Sequence, residues 1–122
     1  MLKERRKYKR VMVKINLIYK VMGMKGEASL WTVDLGGGGL RLQLKESAKP
    51  GTMVEMGISV PPGAPIFFSL GRVAWQRRCP DNLKEPLKYY ETGVEFVKMD
   101  VENRAKVIKF VHEKLKETND ES

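Results

Sequence analysis

Val11-Met12-Val13-Lys14-Ile15-Asn16-Leu17-Ile18-Tyr19-Lys20-Val21-Met22 is the stretch that decides the fold. Val11, Val13, Ile15, Leu17, Tyr19 and Val21 are apolar or aromatic, and Lys14, Asn16 and Lys20 fall between them. Side chains of an extended strand alternate between two faces, so this pattern predicts a long strand over 11–22 with one buried side. Working outward, Gly23 to Gly26 reads as a turn and Ala28 to Val33 as a second strand ending at Asp34. Gly36-Gly37-Gly38-Gly39 reads as a tight turn with exposed backbone. Leu40, Leu42 and Leu44 alternate with Arg41 and Gln43 in a third strand, punctuated by Pro50-Gly51. Val54, Met56, Ile58 and Val60 make a fourth, closed by Pro61-Pro62-Gly63. Ile66 to Gln76 is a fifth, a polar loop runs from Arg77 to about Lys88, and Tyr90, Thr92, Val94 and Phe96 make a sixth.

Six strands joined by short turns point to an antiparallel sandwich or barrel. Closure is the simpler outcome, because so short a chain would otherwise leave unpaired edges. The expected class is therefore all-β, a six-stranded antiparallel β-barrel with a C-terminal α-helix. The helix follows from a change of period: Val101, Ala105, Ile108, Val111 and Leu115 recur at three- and four-residue steps after Asp100, a suitable N-cap. Glu102 falls in the first turn, where the helix dipole favours an acid. The organisation expected is a basic arm over 1–10, one domain over 11–117 with its helix over about 100–117, and a frayed tail over 118–122. Trp31, Trp75, Phe67 and Phe68 read as packing residues, and Met12, Met22, Met24, Met53 and Met56 as core filling.

The 122 residues suit one hydrophobic core, and a hydrophobic content of 42% is that of a globular chain. No apolar run approaches the roughly 18–20 residues of a membrane span. Cys79 is the single cysteine, which excludes an internal disulfide framework and suits a reducing, cytoplasmic compartment. Catalytic constellations are missing. His112 is the one histidine, placed mid-helix, and Cys79 has no histidine partner to suggest a nucleophile. One His and one Cys do not make a zinc site. Leu40 and Arg41 follow the glycine run where a phosphate-binding P-loop needs Lys and Ser or Thr. The chain reads as a binding protein without enzymatic activity.

Its charge says what kind. Lys3, Arg5, Arg6, Lys7, Lys9 and Arg10 with Glu4 give the first ten residues +5 of the chain's net +8. Such a block marks either an arm that meets an anion (nucleotide, nucleic acid or acidic lipid) or a solvated terminus. Arg6 and Arg10, four apart, let two planar forks reach one ligand and grip phosphate oxygens or the O6/N7 edge of guanine. Asp34 offers a carboxylate to a guanine N–H edge, and the glycines beside it allow close approach and expose backbone N–H groups. A ligand carrying both phosphates and guanines satisfies all of these. A general nucleic-acid binder needs a platform of exposed aromatics that Tyr8 alone does not make, so neither DNA nor RNA is expected as a partner.

Arg6-x-x-x-Arg10 before the first strand resembles the RxxxR motif of the PilZ domain family. Asp34-x-Gly36-x-x-Gly39 resembles that family's [D/N]xSxxG motif. Pro50-Gly51, Gly71-x-Val73-x-Trp75 and Gly93-Val94-Glu95-Phe96, then a C-terminal helix, extend the likeness over nearly the whole chain. The resemblance implies a split-barrel type of fold and a receptor for the bacterial second messenger cyclic di-GMP, with an arm that orders over the ligand. By that likeness Arg5, Arg6 and Arg10 clamp guanine and phosphate, Asp34 binds a guanine edge, and Gly36, Gly38 and Gly39 form the open turn. Arg5 makes the arm RRxxxR, for which a stacked pair of ligands is expected. The effector is then a protein on another chain. One departure stands out: Gly36 occupies the serine position of the motif. A neutral hydrogen bond is worth about 0.5–1.5 kcal/mol, so losing the hydroxyl weakens binding by roughly two- to tenfold rather than abolishing it. The alternative is a divergent family member that binds a protein partner and no nucleotide.

Overall fold

The computed structural model describes residues 8–21, 24–25, 29–78 and 89–120, with the side chains of 24–25, 29–32 and 118–120 outside the description. Arg5, Arg6, Met22 and Cys79 therefore lie outside the described residues, as does most of the 77–88 loop. Among the described residues, seven strands and one helix follow in order: β1 (Arg10–Val21), β2 (Met24–Lys25), β3 (Ser29–Gly36), β4 (Gly39–Leu44), β5 (Met53–Ser59), β6 (Phe67–Arg78), β7 (Tyr90–Lys98) and α1 (Val101–Asp120). All pairings are antiparallel. β2 is a two-residue continuation of the β1 hairpin, pairing Val21 with Met24 and Lys20 with Lys25 inside the expected turn. The other six strands close the barrel.

β1 makes that closure possible. Its first part pairs with β3, from Arg10 opposite Gly36 to Leu17 opposite Ser29. Its second part pairs with β5, from Asn16 opposite Ser59 to Val21 opposite Val54. One strand thus joins both ends of the sheet and closes it. The alternation of β1 is the reason: Ile15, Leu17, Tyr19 and Val21 are buried while Lys14, Ile18 and Lys20 face out. With Val33, Leu35, Leu40, Leu42, Leu44, Val54, Met56, Ile58, Val73, Val94 and Phe96 they fill the interior.

α1 seats against β1 and β3. Asp100 stands at the N-cap position, and its carbonyl accepts the Arg104 N–H at 2.9 Å. The buried side matches the one the sequence pattern selects from Ile108 onward and departs from it in the first turns. Val107, Phe110 and Val111 are buried, whereas Val101 is 84% exposed and Ala105 also faces solvent. Ile108 and Leu115 are partly buried beside that face. The helical repeat turns Val101 and Ala105 away from the side of Val107 and Phe110 and into solvent.

β6 and β7 carry two register shifts, at Leu70/Gly71 and at Val73/Trp75. Val73 opposes Val94, but Trp75 opposes the adjacent Gly93, so Ala74 is an extra residue on β6. A bulge of this kind reverses which face the following side chains point to. Trp75 is turned outward and is 39% exposed, a correction to its reading as a packing residue. Phe68 is corrected too, standing 77% exposed on the outer face, and so is Met12, at 61%; Phe67 and Met56 are buried as expected. β6 also runs two residues further than expected, since Arg77 pairs with Glu91 and Arg78 with Tyr90.

The same bulge turns Gln76 inward. Its Nε2 donates to Thr92 Oγ1 at 2.9 Å and to the Glu46 carbonyl at 3.0 Å, and its Oε1 accepts the Ala48 N–H at 2.7 Å. Thr92 is fully buried and also donates to the Tyr90 carbonyl at 3.0 Å. Gln76→Ala strips partners from three polar groups and is expected to cost about 1–3 kcal/mol in urea unfolding.

Candidate functional site: a cleft between the arm and the glycine turn

β3 and β4 meet in a two-residue turn, with Gly36 paired to Gly39 and Gly37-Gly38 at the tip. Residues equidistant from the tip face each other, so Asp34 sits opposite Arg41 on the outer side of the sheet. Met12 of β1 is Asp34's other neighbour, and Arg10 is one step along the same face. The outcome is a belt of alternating charge across five strands. Asp34 Oδ2 lies 3.9 Å from Arg10 Nη1 and 3.6 Å from Arg41 Nη2. Arg41 Nη1 lies 3.1 Å from Glu91 Oε1, and Arg77 Nη2 lies 2.7 Å from Glu91 Oε2.

Exposed pairs of this sort add little stability, about 0–1 kcal/mol each. Their effect is positional: three arginines and two carboxylates hold one another in place and leave an excess of positive charge. Asp34 is the best covered, with 14% of its side chain exposed.

Beside the belt opens a cleft of about 270 Å³. Tyr8 and Arg10 form one wall, Gly36, Gly38 and Gly39 the turn, and Arg41, Trp75, Gly93 and Glu95 the far side. Trp75 reaches this wall because Gly93 has no side chain: a Cβ there would collide with the indole. Arg72 of β6 holds Glu95 at the rim through its Nε, at 2.7 Å, and its Nη2.

Of the residues expected at the site, Arg10, Gly36, Gly38 and Gly39 line the cleft. Asp34 does not; it lies behind the two arginines that it pairs with. Gly39 has a packing duty as well, since its Cα lies against the Val94 backbone. Arg41, Trp75, Glu95 and Tyr8 were not singled out for the site from sequence. Arg41 was within reach: a tight turn at the tetraglycine fixes its pairing with Asp34. Trp75 was not, because its outward turn comes from the bulge.

The chemistry available is that of an anion and base binder. Two guanidiniums face an open space in which a planar indole, partly exposed, offers a stacking surface. Glu95 accepts hydrogen bonds at the rim, and Gly38 and Gly39 are the partly exposed part of the turn, whereas Gly36 and Gly37 are buried, a correction to the exposed backbone expected there.

Comparison with known proteins agrees with this architecture. The PilZ domain of YcgR from Escherichia coli, determined with c-di-GMP, superposes with a TM-score of 0.63 at 16% identity, covering 98% of this chain and 100% of that one. The Bacillus subtilis inhibitor of motility (MotI/DgrA) superposes with a TM-score of 0.71 at 15% identity, covering 93% of this chain and 52% of that one. This chain thus spans about half the length of the Bacillus protein. No curated protein matches the chain in sequence. Among the described residues, no helix is long and apolar enough to cross a membrane. The sequence model of the PilZ domain matches residues 4–113, from the arm through most of α1, and the chain belongs to the PilZ domain family.

Proposed function

We propose that this chain is a non-enzymatic receptor for cyclic di-GMP that works as an adaptor. The observation that carries the reading is the cleft in which Arg10, Arg41 and the half-exposed Trp75 face one space beside the glycine turn. Cyclic di-GMP presents what such a cleft recognises: two phosphates for arginine forks and two guanines for stacking and edge contacts. Membership of the PilZ family supports the assignment, as does the fold shared with a PilZ domain determined with c-di-GMP. In this reading Arg5, Arg6 and Arg10 clamp the ligand, Arg41 and Trp75 form its far wall, and Gly36, Gly38 and Gly39 allow close approach. Asp34 acts from behind, holding Arg10 and Arg41 and keeping lone pairs for a guanine edge. The arm over 1–10 orders on the nucleotide, and the new surface is read by a protein effector on another chain, in the cytoplasm.

Calorimetric titration with cyclic di-GMP at physiological salt, beside GMP and GTP, tests the reading. Saturable heat with cyclic di-GMP alone supports it, and a stoichiometry near two supports a stacked pair. No heat and no thermal stabilisation at ligand concentrations well above micromolar would remove it. That result would leave the second reading, a PilZ module that binds protein without nucleotide, which Gly36 in the serine position favours.

A further inference from the structure

Three consecutive glycines face the arm. A Cβ on Gly36 would lie 2.8 Å from the Lys9 carbonyl oxygen and 3.0 Å from Arg10 Cγ. On Gly37 it would lie 2.7 Å from Tyr8 Cδ1 and 2.8 Å from Ile108 Cγ1, and on Gly38 3.1 Å from Tyr8 Cδ2. None of the three has left-handed φ; among the described residues only Gly51 and Gly63 do. The turn's own geometry therefore does not demand glycine at these positions. The closeness of Tyr8 and Lys9 does.

α1 closes the other side. Arg104 Nη1 donates to the Gly37 carbonyl at 2.5 Å, and its guanidinium carbon stands 5.8 Å from the centre of the Tyr8 ring. One arginine thus bonds the turn and faces the ring that lies on it, within cation–π range. Ile108, one helical turn on, fills the space against Gly37.

We propose that Gly36, Gly37 and Gly38 are a seat for the arm, on which Tyr8 docks before any nucleotide arrives, and that Arg104 ties the docked arm to α1. Tyr8 is a positioning residue in this scheme: it sets the root of the arm so that Arg10 already faces the cleft. Its effect on ligand affinity rests on the nucleotide reading above, whereas the docking does not. Glycine in the motif's serine position becomes intelligible, because any side chain at 36 presses on the Lys9 carbonyl. Displacement of the arm by ligand would reach α1 directly, through the contact between the Tyr8 ring and Arg104.

The experiment uses the full chain without nucleotide, treated with trypsin at low dose, and follows cleavage after Lys9 by mass spectrometry. Tyr8→Ala, Tyr8→Phe, Arg104→Met and Gly36→Ser are compared, each checked for unfolding temperature. Tyr8→Ala and Arg104→Met are expected to speed cleavage by about fivefold, the loss of one ring contact or one charge-assisted bond. Gly36→Ser speeds it too, and Tyr8→Phe, which keeps the ring, stays near the parent. Titration of the same proteins with cyclic di-GMP is expected to show Tyr8→Ala weaker by about fivefold, as an arm that is not preset must be ordered by the ligand. Equal cleavage of the parent and Tyr8→Ala overturns the docking, whatever the affinities. Tighter binding by Tyr8→Ala overturns the positioning role, since Tyr8 would then obstruct the cleft. Loss of protection in a protein that binds no cyclic di-GMP supports the docking and removes the nucleotide reading alone.

Discussion

Arg10→Ala is expected to weaken cyclic di-GMP binding by about ten- to a hundredfold while leaving the unfolding temperature nearly unchanged. The two halves of that result have separate causes. Arg10 lines the cleft, and a guanidinium bonded to phosphate or to a guanine edge contributes about 1.5–3 kcal/mol. Its partner within the protein is Asp34 at 3.9 Å, too long for a good hydrogen bond, and the Arg10 side chain is 40% exposed. Breaking an exposed pair of that kind costs less than about 1 kcal/mol. Asp34 also keeps Arg41 at 3.6 Å, so its carboxylate is not left without a cation. Arg10→Lys separates charge from shape: an ammonium keeps the charge and loses the planar fork, so affinity should fall between those of the parent and Arg10→Ala. Calorimetry with all three proteins reads the series. An Arg10→Ala protein that binds as tightly as the parent would move the ligand out of this cleft.

The barrel itself was legible in the sequence because period two runs unbroken through strands such as β1 and β4, each with one buried face. Ile15, Leu17, Tyr19 and Val21 declare the inner side of β1, and Leu40, Leu42 and Leu44 that of β4. What escaped depends on register or on contacts far apart in the chain. Period two places Trp75 inside with Val73; one extra residue, Ala74, sends it to the cleft, and nothing in the local composition announces the bulge. The expected helix face, Val101, Ala105, Ile108, Val111 and Leu115, holds from Ile108 onward, and Val101 and Ala105 fall outside it. The side that packs runs through Val107, Phe110 and Val111, and brings the charged Arg104 with it. Arg104 was invisible as a contact because its partner, the carbonyl of Gly37, lies 67 residues away and belongs to the backbone. The glycine run gave its position but not its reason. Openness to a ligand explains one glycine or two; the arm lying on Gly36, Gly37 and Gly38 and a neighbouring strand against Gly39 explain four.

That last contact carries the other large effect. Gly39→Ala is expected to cost about 3 kcal/mol or more, whereas Gly38→Ala, one residue away, should cost less than about 1 kcal/mol. A Cβ on Gly39 would collide with the Val94 carbonyl oxygen and lie 2.9 Å from Glu95 Cα and 3.1 Å from the Val94 carbonyl carbon. All three atoms are backbone of β7, so no rotamer change relieves the clash. Relief requires β4 and β7 to separate, at the point where Gly39 pairs with Glu95 and the Phe96 N–H donates to the Gly38 carbonyl at 2.9 Å. Separation there loosens the walls on which Arg41, Trp75 and Glu95 stand, so ligand affinity falls with stability. On Gly38 the added methyl would meet the edge of the Tyr8 ring at 3.1 Å, and a side chain can give by a few tenths of an ångström. Its cost should appear in the protease sensitivity of the arm, not in global unfolding. Urea unfolding of both variants beside the parent checks the contrast. Equal, small losses in the two would mean that β4 and β7 are not held as closely as the Gly39 contact requires, and that this glycine serves the ligand alone.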